Sequence, residues 1–280
     1  MPAKTCIVIT GPTAVGKTAY TIELALKLNT QIISADSRQC YKELNIGAAK
    51  PSDAQLNKVY HYFISSHSIH DEVNVKTFEE YALQAAEKIF ETRDVAIMVG
   101  GTGLYVKAFC EGLDDVPPAN ESARKIINES YQDGGIAWLR EEVKRKDPKF
   151  FAAGEMQNPQ RMMRALEVKL TTGSSILDFH KGNKAARDFE IKKIHLNISR
   201  EQLYERINHR VDAMMDQGLL KEAEGLFPFR HLNALQTVGY SELFEFIEGK
   251  ISLDKAIDEI KKNTRHYAKR QITWFKKYNA

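Results

Sequence analysis

Eight residues, GPTAVGKT at positions 11–18, constrain this chain more than any other stretch. They fit G-x-x-x-x-G-K-(S/T), a pattern whose glycines let backbone N–H groups turn inward on phosphate oxygens. Such a loop works only between a buried strand and the N-terminus of a helix. TCIVIT (5–10) has the apolar run of that strand, and TAYTIELALKLN (18–29) the periodicity of that helix. Gly11, Pro12, Thr13, Ala14, Val15 and Gly16 would then form the cradle. Lys17 would reach a terminal phosphate, and the Thr18 hydroxyl would help to hold Mg2+.

Further strands are expected at QIISAD (31–36) and VAIMVGG (95–101), with a helix at NVKTFEEYALQAAEKIFET (74–92) between them. Alternating strands and helices predict a P-loop NTPase-like α/β fold, a parallel sheet in three layers that binds ligands at the carboxyl ends of its strands. After a Pro-containing break, GLDDVPPAN (112–120), the sequence turns helical and highly charged. IKKIHLNIS (191–199) reads as another strand, and residues 200–227 as a helical run. The expected organisation is an α/β core of residues 1–115 and 190–280 interrupted by a helical insertion domain, 116–189.

The third strand lacks the acidic residue by which hydrolysing P-loop enzymes hold Mg2+; Gly100, Gly101 and Thr102 stand there instead. Asp36, at the end of the second strand, shares a rim with the phosphate loop. It suits a general base, or a cap on the next turn. Ser37, Arg38 and Gln39 add polar groups beside it. In the insertion, Gln160, Arg161 and Arg164 fall near one helix face, fit for phosphate and base contacts or for solvation alone. Arg206 and Arg210, four residues apart, could each lean over a bound phosphate.

Net charge is only +3, so an argument for polyanion binding rests on where the charge lies. Residues 261–280 hold seven Lys or Arg and no acid, interleaved with Tyr267, Trp274, Phe275 and Tyr278. That pattern fits a solvated helix with an apolar stripe, a polyanion surface, or both. Cys6, Cys40 and Cys110 lack C-x-x-C spacing, and His61, His67 and His70 lack metal-ligand spacing. No apolar run approaches the ~20 residues of a membrane span, and the apolar stretch of MPAKTCIVIT is too short for a signal peptide. A cytoplasmic monomer with no membrane association is expected.

Taken in order, GPTAVGKT, ISADSRQCYKELNIGAAKP, VGGTGLY, NPQRMMRALEV, LYERINHRVDAM, LQTVGYSEL and AKRQITWF resemble the signature segments of bacterial tRNA dimethylallyltransferases. They span residues 11 to 275, nearly the whole chain. The resemblance implies transfer of a five-carbon prenyl group from dimethylallyl diphosphate to the exocyclic amine of the adenosine 3′ of the anticodon, in tRNAs reading codons that start with U. It gives the loop, with Lys17 and Thr18, the diphosphate and Mg2+, and makes Asp36 the base. Thr102 would sit at the reaction centre, and Arg210 would neutralise the leaving group. It puts Asp36, Ser37, Arg38 and Gln39, Thr102, Arg124, Gln160 to Arg164 with Met162 and Met163, and Gln236, Thr237, Val238, Gly239, Tyr240 and Ser241 against the anticodon stem-loop. Gln236 and Ser241 replace basic residues of some relatives, and GEMQNPQR departs from the commoner H-P-N-D-x-Q-R. A small-molecule or nucleotide kinase would use the same loop but leaves GGTGLY and the basic aromatic tail unexplained. A non-catalytic RNA-binding module would not need Asp36 and Thr102 on one rim.

Overall fold

A computed structural model describes residues 4–118, 120–182 and 184–278. The first three residues, Ala119 of the Pro-containing break and the last two residues of the basic tail lie outside it. The chain forms two compact units, Met1–Gly112 with Ala186–Ala280, and Leu113–Ala185.

In the first unit the elements run β1 (Thr5–Thr10), α1 (Lys17–Lys27), β2 (Ile32–Ala35), α2 (Asp53–Leu56), β3 (His61–Tyr62), α3 (Val75–Phe90), β4 (Val95–Gly100) and α4 (Gly103–Glu111). The second unit holds α5 (Glu121–Lys146), α6 (Pro148–Ala153) and α7 (Pro159–Thr172). The chain then returns to the first through β5 (Glu190–His195), α8 (Arg200–Asp216), α9 (Leu219–Leu226), α10 (Tyr240–Ile247) and α11 (Leu253–Tyr278). The five strands are parallel, in the order β3-β2-β4-β1-β5.

The strand alternation sends Ile9, Ile32 and Ile97 to one face, where Ile22 and Ala25 of α1 cover them. Cys6, Val8, Ile33, Ala96 and Met98 go to the other, against Phe78, Ala82 and Ile89 of α3 and Phe109 of α4. Both faces are dry, so the central strands read as unbroken apolar runs rather than alternating ones. The last strand stops at His195, short of the expected 199, because its neighbour β1 ends at Thr10, the residue paired with His195; Ser199 then caps α8 through its hydroxyl, 3.3 Å from the Gln202 N–H. The helical run expected over 200–227 is two helices, divided where Gly218 takes the left-handed turn at φ 99°.

In the second unit Leu139 and Val143 of α5, Phe150 of α6 and Met162 and Leu166 of α7 share one core. The unit runs 113–185 rather than 116–189. Asp114 accepts the Gly182 N–H at 2.9 Å within it. Arg187 instead bonds the carbonyls of Ala108 and Phe109, both at 2.8 Å, and Glu79 at 2.7 Å in the first unit. No described helix is long and apolar enough to cross a membrane.

Candidate active site

Register places the site. Gly100 pairs with Thr10 on one side and Ala35 on the other, so Gly11, Asp36 and Gly101 step off three strands at one level. Their loops surround a cavity of about 440 Å³ lined by Thr13, Lys17, Thr18, Asp36, Arg210, Tyr267 and Gln271, among others.

The phosphate loop is closed on itself. Lys17 begins α1, and its Nζ donates to the carbonyls of Gly11 at 2.9 Å and Pro12 at 2.8 Å. Burial lowers its pKa to about 8, with the Arg210 charge adding to the fall and the Asp36 charge opposing it. The two arginines of α8 divide their work. Arg210 lines the cavity and donates to the Thr13 hydroxyl at 3.2 Å, and burial brings its guanidinium below the usual range. Arg206 donates to the Val15 carbonyl at 3.2 Å and braces the loop.

Asp36 both caps a turn and faces the cavity. Its Oδ1 accepts the N–H groups of Arg38 at 2.9 Å and Gln39 at 3.2 Å. Thr102 is built into the same corner. Its N–H donates to the Ala35 carbonyl at 3.2 Å, and its hydroxyl accepts the Ser37 N–H at 3.1 Å. Tyr267 of α11 lines the cavity; burial and the Asp36 charge push its phenol up to about 12. Tyr267 thus belongs to the cavity wall, while Lys269, Arg270, Lys276 and Lys277 on the same helix are exposed. The basic tail has both an apolar stripe, with Ala268 and Phe275 buried, and a charged outer face.

Several residues expected to meet RNA have their side chains committed inward. Gln39 donates to the carbonyls of Ala48 at 3.4 Å and Ala49 at 3.1 Å, and its Oε1 accepts from Ser34 at 3.2 Å. Tyr240 is fully buried and donates to Glu222 at 2.6 Å. Met162 and Met163 are buried in the second unit's core, since helical spacing turns them away from Arg161. Gly239 is buried and its N–H bonds Glu242, 2.8 Å away. Thr237, Val238 and Ser241 are half-buried, the Ser241 hydroxyl on the Thr237 carbonyl at 3.1 Å; Gln236 is exposed. Arg38 reaches the Gln236 carbonyl at 3.5 Å, bringing segments 36–39 and 236–241 together.

Arg124, Gln160 and Arg164 converge on a small hollow in the second unit. Arg164 pairs with buried Glu167 at 2.7 Å and bonds the Pro117 carbonyl, whereas Arg161 stays exposed, 4.0 Å from Glu155.

Two site residues were not singled out from the sequence. Gln271 stands within AKRQITWF, where only its place in a motif marked it. Glu222 belongs to no quoted motif; its carboxylate holds the N–H groups of Ile46 and Gly47, both at 2.9 Å, on the segment walling the cavity. Among the described residues no group of three or more His, Cys, Asp or Glu could hold a metal ion. Cys6, Cys40 and Cys110 are buried free thiols, each pushed up by burial.

Residues 39–278 match the family described as IPP transferase. The chain is 46% identical over 269 residues to the tRNA dimethylallyltransferase of Christiangramia forsetii, covering 96% of this chain and 89% of that one. It is also 46% identical to the tRNA dimethylallyltransferase of Flavobacterium johnsoniae, with 98% and 91% covered. Among solved structures, the full-length tRNA isopentenylpyrophosphate transferase of Bacillus halodurans superposes with a TM-score of 0.70 at 36% identity, covering 98% of this chain and 87% of that one. A eukaryotic dimethylallyltransferase solved while acting on tRNA superposes with a TM-score of 0.80 at 27% identity, with 98% and 70% covered.

Proposed function

The chain belongs to the tRNA dimethylallyltransferase family, and on that premise we propose how its core carries out the transfer. The donor is dimethylallyl diphosphate, and the acceptor is the exocyclic amine of the adenosine 3′ of the anticodon, position 37, in tRNAs reading codons that start with U. The observation that carries the reading is that Asp36 opens on the same cavity as Lys17, Thr18 and Arg210. One side offers cations for a leaving group and the other a base for a nucleophile.

The reaction forms an N–C bond at the amine and breaks the allylic C–O bond, and diphosphate departs. Lys17 leaves the carbonyls of Gly11 and Pro12 for the diphosphate, and with Arg210 stabilises the charge that grows as the C–O bond breaks. An aromatic amine is a weak nucleophile, so its proton passes to the Asp36 carboxylate as the new bond forms. The turn N–H groups fix Oδ1, which leaves Oδ2 for that proton. Thr102, tied to the backbone of Ala35 and Ser37, gives the nucleophile's side a fixed edge. With Asp36 kept for the proton, the Thr18 hydroxyl is the oxygen donor that would hold a metal, in a cavity lined by no His or Cys among the described residues, and this is an oxygen-only set poor in protein ligands. That set fits Mg2+ shared with substrate phosphates. Bound there, the ion would neutralise part of the leaving group's charge.

The target base must leave its stack to reach so enclosed a site. Ser37, Arg38, Gln236, Thr237 and Ser241 of the first unit, and Arg124, Gln160, Arg161 and Arg164 of the second, are the side chains suited to hold the anticodon stem-loop. The protein acts as a monomer.

The test is to incubate the protein with unmodified anticodon stem-loop RNA, Mg2+ and either labelled dimethylallyl diphosphate or γ-labelled ATP. Label should enter RNA from the prenyl donor alone. Phosphoryl transfer from ATP, or no transfer from the prenyl donor, would overturn the reading.

A further inference from the structure

Nothing in the reaction just described uses YAKRQITWF, residues 267–275, yet α11 presses that segment against the rim at three points. Tyr267 lines the cavity wall. One turn on, Gln271 is 6% exposed, with its amide between two loops. Trp274 packs so close to Gly103 that a Cβ there would lie 2.1 Å from its Nε1.

The Gln271 amide makes two bonds, each to a different strand's loop. Its Oε1 accepts the Thr13 N–H at 2.8 Å, and its Nε2 donates to the Gly101 carbonyl at 3.0 Å. An N–H can only donate and a carbonyl can only accept, so the partners fix which end of the amide faces which loop. The fit is tight. A Cβ on residue 101 would stand 2.2 Å from Nε2, so a glycine there is what admits the glutamine.

Thr13 belongs to the diphosphate side, where its hydroxyl takes Arg210. Gly101 precedes Thr102, on the nucleophile's side. We infer that Gln271 is a positioning residue that sets the distance between the diphosphate cradle and the Thr102 corner. It touches neither reacting atom. It holds the leaving group's loop and the nucleophile's edge in one frame, and an in-line displacement is sensitive to that spacing.

The inference rests on the reading that prenyl transfer occurs in this cavity, and its test separates the two. Q271E keeps the shape and the acceptor for Thr13. Ionised, it sets an oxygen anion against the Gly101 carbonyl; protonated, it regains a donor. Its single-turnover rate relative to wild type should be about tenfold low at about pH 8 and recover toward about pH 6. Q271L should stay low throughout, and stem-loop RNA affinity should stay within about twofold of wild type for both variants. Inorganic diphosphate with Mg2+, measured by calorimetry, should bind Q271L about five- to tenfold more weakly. A merely structural role predicts a lowered melting temperature with a rate ratio flat in pH. That outcome, or unchanged diphosphate affinity in folded Q271L, overturns the inference. If wild type transfers no prenyl group the functional reading fails, and the diphosphate comparison still decides the role of Gln271.

Discussion

At the sheet rim of the first unit, the functional side chains arrive from distant parts of the chain. Lys17 follows β1, Asp36 follows β2, Arg210 comes from α8, and Tyr267 and Gln271 come from α11. Helix α7 of the second unit works by the opposite rule. Gln160 and Arg161 face outward while Met162 and Met163 face inward, purely through local helical spacing. The rim encloses a cavity held by bonds between side chains and loop backbone, as with Lys17, Asp36 and Gln271. The helix offers a half-solvated surface. The rim should therefore govern chemistry, and the insertion should govern binding.

The sharpest way to break that division is Asp36→Asn. It keeps the Oδ1 that caps the turn and removes the base. The single-turnover rate should fall by about 10²–10⁴-fold with RNA affinity unchanged. An unchanged rate in the quenched-flow assay would mean that Asp36 only caps its turn. Next in size is Glu167→Ala. Glu167 is 2% exposed and takes both the Asn120 N–H and Arg164 at 2.7 Å. Its loss should cost about 1–3 kcal/mol of stability, read from urea unfolding, and RNA affinity should fall in parallel. The prenyl-transfer rate at saturating RNA should hold; if it falls, the two regions are not separable.

Lys17 supplies a pH test. The charged form binds diphosphate and its pKa is about 8 in the free protein, so affinity should be flat below that and fall as pH rises through it. The expected loss is about tenfold per unit, by calorimetry, and Lys17→Met should abolish the dependence. The smallest effect should be Arg161→Ala. RNA binding should weaken severalfold and its salt slope should fall by about one, with the rate at saturation unaltered. A rate effect there would carry catalysis into the insertion.

The loop GPTAVGKT and the buried strands β1, β2 and β4 could be read early because each depends on short-range pattern. The loop needs particular residues at fixed spacing, and a buried strand needs an unbroken apolar run. Gln39, Tyr240, Met162 and Met163 show where such reading stops. Membership of a functional segment says nothing about which way a side chain points. Here Ala48, Glu222 and the insertion's core claim these four. Glu222 was invisible for the converse reason. Its backbone partners, Ile46 and Gly47, lie about 175 residues away, and a glutamate in an amphipathic helix that also carries Glu224 looks like any solvated one.

By itself, then, the sequence determined that a diphosphate-type cradle follows a buried strand, that no acid ends the third strand, and that Asp36 shares the rim. Helical spacing left Arg206 and Arg210 equivalent and the family resemblance favoured Arg210, but tertiary structure alone put Arg206 on the Val15 carbonyl and made Tyr267 and Gln271 part of the cavity. The reason is geometric. Parallel register brings strand ends to one level wherever they fall in the chain. Which residues of α8 and α11 meet that rim depends on how each helix packs across the sheet, and helical periodicity fixes a face without fixing what it faces.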